Sequence, residues 1–255
     1  MFFGKTLLAL SVVAAITACG GGGGGTTAPS TPTPVAAATA EGVWTGTTST
    51  GFKSTAIILE NNEVYNIFGV DSNGVVSLRG FDYGVTSLAG NSLNGTIREF
   101  YTDDTSVVGS LSATLNAGIS LAGSVTAKQG TVTFNSSPIP STLFSYSNAA
   151  KLADVAGGWA GTFLNGVPGN VTITATGGVT GSSFTCLFSG TISPRPSGKN
   201  VFDVSITFGN NQCLLPNQST TGIGVITTTT TGKKQLIVAA LNSAKTQGSV
   251  FVATR

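Results

Sequence analysis

Apolar and polar residues alternate along most of the chain beyond residue 41. Ala, Val and Ile alternate with Thr, Ser and Gly, which is typical of strands that face a core on one side and water on the other. The first half predicts strands near 42–48, 53–60, 63–70, 74–82, 92–101, 106–114, 118–127 and 130–135. The second half predicts strands near 158–164, 169–175, 178–181, 183–192, 200–208, 220–229, 234–241 and 248–254.

Short connections such as Thr176-Gly177-Gly178 favour antiparallel neighbours in up-and-down order. Eight such strands close into a barrel, which removes exposed strand edges. The sequence therefore predicts an all-β protein of two tandem small antiparallel barrels with a short linking helix, which Asn148 would cap. The predicted segments are a signal peptide at 1–18, a lipidated Cys with a flexible tether at 19–40, a first barrel at 41–135, a linker at 136–156 and a second barrel at 157–255.

An internal repeat supports two modules of one kind. Gly42-Val43-Trp44-Thr45-Gly46 is matched at an offset of 115 by Gly157-Gly158-Trp159-Ala160-Gly161, and these two tryptophans are the only ones in the chain. Towards the end of each module, Gln129-Gly130 is answered by Gln247-Gly248 at an offset of 118. We interpret the pattern as a tandem duplication.

The N-terminal segment predicts export. Lys5 precedes an apolar run from Leu7 to Ile16, which is too short to span a bilayer as a helix and is typical of a secretory signal. The run ends in Ile16-Thr17-Ala18-Cys19, which resembles the lipobox of bacterial lipoproteins. The resemblance implies cleavage before Cys19 and acylation of its thiol and amino group, with palmitate-like chains that hold the protein on a membrane.

The residues after Cys19 predict a tether. Six glycines and then a Thr/Pro-rich stretch lack both charge and apolar periodicity. The absence of Asp directly after Cys19 resembles lipoproteins of the outer membrane, with the periplasmic and surface leaflets both open. A membrane-spanning barrel is the alternative that the alternation invites, but the lipidation signal would then be redundant and aromatic residues do not recur at the strand ends.

Two wider resemblances follow from these motifs. The Gly-x-Trp-x-Gly opening of each module resembles the first strand of lipocalin-like barrels, in which the tryptophan closes one end. That resemblance implies structural roles for Trp44 and Trp159, with Arg255 packed on the indole of Trp159. The layout of Cys19, polyglycine and Gly-rich β-modules resembles surface lipoproteins such as factor H binding protein and the transferrin-binding lipoproteins.

The remaining chemistry-bearing residues are few. Cys186 and Cys213 form an even pair in an exported domain, which predicts a disulfide. The chain has no histidine, which excludes Ser-His and Cys-His relays and histidine metal sites. Carboxylates at Glu99, Asp103 and Asp104 are the one enzymatic alternative. We expect no catalytic residues, no cofactor and no metal site.

The two modules differ in charge. Residues 41–147 hold eight acids and four bases, a net of −4, whereas residues 148–255 hold two acids and seven bases, a net of +5. This asymmetry favours either face-to-face packing of the modules or a basic patch at Arg195, Lys199, Lys233 and Lys234 for an acidic partner.

These features predict a non-enzymatic envelope lipoprotein that serves as a surface binding or interaction module. It would contact the membrane through its N-terminal lipid and take a protein, glycan or lipid ligand, with nucleic acid excluded by its location. The alternative is a periplasmic carrier or chaperone that holds a small apolar ligand in a barrel, in a cavity lined by residues such as Ile58, Phe68 and Phe81.

Overall fold

The structure is a computed structural model that describes residues 39–72, 75–210, 213 and 215–255. The predicted signal peptide, Cys19 and the tether up to residue 38 lie outside the described residues. Two closed barrels follow one another along the chain, each of eight antiparallel strands in up-and-down order. The predicted fold class is thereby confirmed.

The first barrel consists of β1 (Gly42–Thr48), β2 (Lys53–Ile58), β3 (Glu63–Ser72), β4 (Val75–Ala89), β5 (Ser92–Tyr101), β6 (Ser106–Asn116), β7 (Ser120–Ala127) and β8 (Gly130–Pro138). A short helix, α1 (Leu152–Val155), precedes the second barrel. That barrel consists of β9 (Gly157–Phe163), β10 (Pro168–Ile173), β11 (Gly178–Ser183), β12 (Cys186–Pro194), β13 (Phe202–Phe208), β14 (Ser219–Thr228), β15 (Lys234–Asn242) and β16 (Gly248–Thr254). β1 closes on β8, and β9 closes on β16.

The repeated Gly-x-Trp-x-Gly motif has the same structural role in both barrels. The first glycine of each motif, Gly42 or Gly157, has a positive φ of 136° or 114°, which disfavours any side chain. The second glycine lies where the barrel closes. A Cβ at Gly46 would collide with the carbonyl oxygen of Asn135, and a Cβ at Gly161 would collide with that of Val252.

Each tryptophan closes one end of its barrel, as a plug, and its indole makes the same hydrogen bond in both barrels. The indole N–H of Trp44 donates to the carbonyl of Ala40 at 2.9 Å, and that of Trp159 donates to the carbonyl of Val155 at 2.7 Å. Both acceptors lie four residues before the tryptophan. The carbonyl thus satisfies the one polar atom of a large buried ring.

Two of the three buried clusters are the barrel interiors. The first interior includes Trp44, Ile58, Val64, Leu93 and Leu121. The second includes Trp159, Ile173, Phe188, Ile206 and Phe251, and Val155 of α1 is fully buried against it. Both sets come from the inward face of alternating strand positions, as the sequence pattern predicts.

The third cluster joins the two barrels. Outward-facing residues of the first barrel, among them Ile57, Tyr65, Phe81 and Phe100, pack with outward-facing residues of the second barrel, among them Ile223, Val225, Ala239 and Val250. The barrels approach so closely that a Cβ at Gly248 would lie 2.8 Å from the Phe81 ring. These strands are therefore buried on both faces.

The linking helix is short, as the sequence pattern predicts, but it begins later than expected. It is a single turn that follows Lys151, and no side chain caps its start. The prediction that Asn148 caps the helix is therefore wrong: Asn148 lies in a turn, where its N–H donates to the carbonyl of Ser145. Among the described residues, no helix has the length and apolar character that crossing a membrane requires.

The predicted disulfide is confirmed. Cys186, at the start of β12, is bonded to Cys213 in the connection between β13 and β14. The bond spans 27 residues and ties the β11–β12 hairpin to that connection. Both cysteines belong to the second barrel, so this disulfide stabilises that barrel alone.

Candidate ligand-binding site

The first barrel encloses a cavity of about 240 Å³. All eight of its strands contribute inward-facing side chains to the wall, and Thr48, Thr50 and Phe52 lie at the end opposite the Trp44 plug. The wall is mainly apolar, from Ala56, Ile58, Val64, Phe68, Leu93, Ile97, Leu111, Leu121, Val125, Val132 and Phe134. Such a lining favours a small apolar molecule.

A row of polar side chains crosses this apolar wall. The Ser54 hydroxyl donates to Asn66 Oδ1 at 2.7 Å, and Asn66 Nδ2 donates to Asp82 Oδ2 at 2.8 Å. Glu99 lies directly opposite Asp82 on the neighbouring strand, and its carboxylate accepts a hydrogen bond of 3.1 Å from the Tyr101 hydroxyl. All five side chains line the cavity.

Asp82 is the unusual member of this row. Its exposed fraction is 5%, and its second oxygen, Oδ1, is buried without a hydrogen-bond partner. Buried polar atoms are nearly always paired, so this unpaired carboxyl oxygen is an exception among the buried groups of the barrel.

The same surroundings alter the ionisation of both acids. Burial raises the pKa of Asp82 to about 8; the hydrogen bond from Asn66 opposes that rise, and the nearby charge of Glu99 adds to it. Burial also raises the pKa of Glu99, with the hydrogen bond from Tyr101 acting against it. The cavity therefore holds two carboxyl groups that bind protons more tightly than exposed acids do.

The second barrel lacks this polar row. Strand registers give the equivalent positions, since Asn66 pairs with Asp82 and Asp82 with Glu99, while Gly181 pairs with Phe188 and Phe188 with Phe208. In chain order, Ser54, Asn66, Asp82 and Glu99 correspond to Gly169, Gly181, Phe188 and Phe208. The Phe188 ring covers Gly181 so closely that no Cβ would fit there. The interior cavity of the second barrel is therefore only about 60 Å³.

Two of the three residues predicted to line a cavity do line it. Ile58 and Phe68 line the cavity, but Phe81 does not. Phe81 faces outward, stacks on Phe100 with ring centroids 4.6 Å apart, and is fully buried between the barrels. Its assignment to the cavity was wrong because the outer face of this strand is buried as well.

The candidate acids separate into two places. Glu99 lies in the cavity, whereas Asp103 and Asp104 lie in the turn between β5 and β6. Asp103 accepts hydrogen bonds from the N–H and hydroxyl of Thr105, at 3.1 and 2.6 Å. Asp82 was not among the residues predicted from the sequence, although its alternation with Gly80 and Gly84 places it on the same inward face as those glycines.

The candidate basic residues lie mainly beside acids. Arg195 binds Glu60 and Asp203, both at 2.6 Å, and Lys199 binds Glu41 at 2.9 Å. Lys234 binds Asp154 at 3.1 Å, and Lys233 is exposed. Glu60 and Glu41 belong to the first module and its N-terminal edge, so two of these pairs join the oppositely charged modules.

The residues around Trp159 form a compact structural unit. The Arg255 guanidinium lies 3.9 Å from the centroid of the Trp159 ring. Its nitrogens donate to the carbonyls of Ala156 and Asp154, at 3.1 and 3.3 Å. Arg255 thus holds the C-terminal strand, α1 and the plug of the second barrel together.

Within the part of the chain that the structure describes, no group of three or more His, Cys, Asp or Glu residues is arranged to hold a metal ion. The first barrel combines an apolar wall, one polar row and an unpaired buried carboxyl oxygen. The fold and this cavity define a double β-barrel protein with a cavity inside its first barrel.

Comparison with known proteins adds two structural similarities. No protein-family model and no curated protein matches the chain. A Bacteroides fragilis NCTC 9343 structure, described as a "putative outer membrane protein", aligns with 84% of this chain and 96% of its own at 11% identity and a TM-score of 0.24. A DUF3598-family protein of unknown function from Nostoc punctiforme PCC 73102 aligns with 84% of this chain and 93% of its own at 13% identity and a TM-score of 0.25. Neither similarity carries an argument about function.

Proposed function

We propose that the chain is a non-enzymatic envelope lipoprotein whose first barrel binds and carries a small, mainly apolar molecule. The observation that carries the proposal is the cavity of about 240 Å³ inside the first barrel, with apolar side chains from all eight strands and the unpaired Asp82 oxygen at its wall. Export and lipid anchoring at Cys19 are the part of the proposal that depends on the sequence motif.

The contrast between the barrels supports this division of roles. The internal repeat relates the two barrels, yet the interior cavity of the second barrel, which carries the disulfide, is only about 60 Å³, whereas that of the first is about 240 Å³. Native interiors are packed densely, and an unfilled interior costs stability. A retained cavity of this size is therefore better explained by an occupant than by packing.

A fluorescence titration with N-phenyl-1-naphthylamine, a neutral apolar dye, tests the proposal. Two neighbouring positions on β8 give a matched pair, because Val132 lines the cavity while Thr133 is exposed on the outside. Val132→Phe fills the cavity and Thr133→Phe adds the same ring outside it. We expect saturable binding at one site, a loss of about tenfold or more in affinity for Val132→Phe, corresponding to about 1.4 kcal/mol, and little change for Thr133→Phe.

The absence of saturable binding by the unmodified protein would overturn the proposal. Equal binding by the two variants would also overturn it, since the dye would then lie elsewhere. Circular dichroism of both variants verifies that each retains the β-fold.

A second candidate function is an interaction module, and the β11–β12 hairpin favours it. Phe184 has an exposed fraction of 79% and a positive φ of 50°, and Leu187 has an exposed fraction of 66%. Two large apolar side chains in water beside a disulfide are suited to contact with a protein partner.

Protease accessibility on intact and permeabilised cells separates the two functions. A carrier inside the envelope predicts that the second barrel is protected until the outer membrane is permeabilised. Cleavage on intact cells would favour the surface interaction module instead.

A further inference from the structure

The cavity of the first barrel has charge of one sign. Among its described lining residues, Asp82 and Glu99 are the ionisable acids, and no Lys or Arg lines it. The two acids face each other across a strand pair. When these acids are ionised, their negative charge between apolar walls attracts a cation much more strongly than the same charge on the surface.

The polar side chains beside Asp82 form hydrogen bonds with one another. On the β3 side of Asp82, Asn66 donates to Asp82 Oδ2 while its Oδ1 accepts from Ser54 of β2. On the β5 side, the Tyr101 hydroxyl donates to Glu99. Asp82 Oδ1 is left without a hydrogen-bond partner among the described residues.

We propose that the ligand of the first barrel is a small hydrophobic amine, whose protonated nitrogen binds the carboxylates of Asp82 and Glu99 while its apolar body lies along the cavity wall. The inference rests on the proposed function and names its ligand class. A protonated amine supplies donors for both carboxylates and neutralises their mutual repulsion. A hydroxyl supplies one donor without charge, and a carboxylate would be repelled.

The pH dependence of binding follows from the groups around Asp82. The groups that face it are the neutral side chains of Asn66 and Ser54, and the ionisable Glu99 and Tyr101. Since burial holds the pKa of Asp82 at about 8, its carboxyl group is mainly protonated in neutral solution. An amine binds the ionised form, so its affinity rises from pH 6 to pH 8, while an alkylamine with a pKa near that of lysine, about 10.4, stays charged.

Calorimetric titration with octylamine, octanol and octanoate tests the inference, since the three share one apolar chain. We expect octylamine to bind at pH 8 about tenfold or more tightly than octanol, as a charged hydrogen bond exceeds a neutral one. Octanoate should bind most weakly. Asp82→Asn should lower the octylamine affinity and so remove the preference for the amine, whereas Asp103→Asn, the same change at an exposed turn, should leave the preference intact.

Failure of the inference and failure of the proposed function give different results. Octanol or octanoate binding as tightly as octylamine would overturn the amine and leave the carrier function in place. No binding of any of the three would overturn the carrier function and the amine with it. Should Asp82→Asn fold poorly, the unmodified protein and Glu99→Gln decide: an octylamine affinity that does not rise between pH 6 and pH 8, or an undiminished preference in Glu99→Gln, would overturn the inference.

Discussion

Single glycines of the repeated motif set how closely the barrel seams can approach. Gly161 faces the carbonyl oxygen of Val252 on the closing strand, and the space there is too small for a Cβ. Gly158, on the same strand, has no atom within 4 Å of where its Cβ would be. The two positions separate the steric effect of a methyl group from its general effect on a strand.

We predict that Gly161→Ala destabilises the protein by about 1 to 3 kcal/mol, because the closing strands must shift apart. Gly158→Ala should be neutral or slightly stabilising, since it only reduces the freedom of the unfolded chain. Urea unfolding of both variants measures the difference. Equal free energies of unfolding for the two variants would contradict the steric account of the seam.

The buried acid Asp82 makes stability depend on pH. Its pKa is about 8 in the folded chain and near 4 when unfolded, so between these values the folded chain holds a proton that the unfolded chain has released. Stability therefore falls as the pH rises through this window, by at most about 1.4 kcal/mol per pH unit for one proton. Glu99 acts in the same direction, because its pKa is also raised.

Asp82→Asn removes this titration, so we predict a smaller fall in the free energy of unfolding between pH 5 and pH 8 than in the unmodified protein. Urea denaturation at several pH values measures the slope. The same slope in both proteins would mean that Asp82 titrates as an ordinary exposed acid.

At the scale of elements, the disulfide restricts one hairpin of the second barrel. The bond closes a loop across 27 residues and fixes the start of β12 to the chain beyond β13. Cross-links of this span stabilise a domain mainly by limiting its unfolded chain.

Replacing Cys186 and Cys213 by Ala should lower the free energy of unfolding by about 2 to 4 kcal/mol. Adding a reductant should have the same effect on the unmodified protein and no effect on the double variant. Thiol titration of residues 39–255, unfolded without reductant, should find no free thiol, and two thiols per chain would refute the bridge.

Alternation of apolar and polar residues was sufficient to predict sixteen strands and their order, because most strands have one solvent-exposed face. The alternation is a poor guide for strands that are buried on both faces. β4 extends to Ala89, seven residues beyond its predicted end at Asp82, because its outer face first packs on the second barrel and its inner face carries an acid. On this strand the apolar Phe81 lies on the outer face and the acidic Asp82 on the inner face, opposite to the usual pattern. For this reason Phe81 was assigned to the cavity and Asp82 was not.

The candidate site was predictable only as a general possibility. A cavity depends on which inward residues are large and how closely the strands approach, and no local pattern reports either. The internal repeat offered the missing signal. At the offset of 115, Ser54 and Asn66 correspond to Gly169 and Gly181, so the repeat itself marks where the two interiors differ.

At the scale of the whole molecule, the two barrels share one buried cluster. Val225 faces outward from its own barrel and yet is almost fully buried between the two. Ion pairs such as Arg195 with Glu60 lie beside this cluster and join opposite charges of the two modules. Burial opposes the ionisation of Glu60, but the hydrogen bonds from Arg195 and Tyr146 outweigh it, and the pKa of Glu60 is lowered.

We therefore predict that both barrels unfold in a single calorimetric transition. Val225→Asp places an unpaired charge in the shared cluster and should cost about 3 to 5 kcal/mol. Thr221→Asp, on the exposed part of the same face of β14, should cost little. Two separate transitions in the unmodified protein would show that the barrels are independent.

The most direct test of the central claim is a crystal structure of the protein grown with N-phenyl-1-naphthylamine. The account predicts density for the dye inside the first barrel, against Phe68 and Phe134 and beside Asp82. Density in the second barrel or in the cleft between the barrels, with the first barrel free of dye, would contradict the assignment of the first barrel as the ligand carrier.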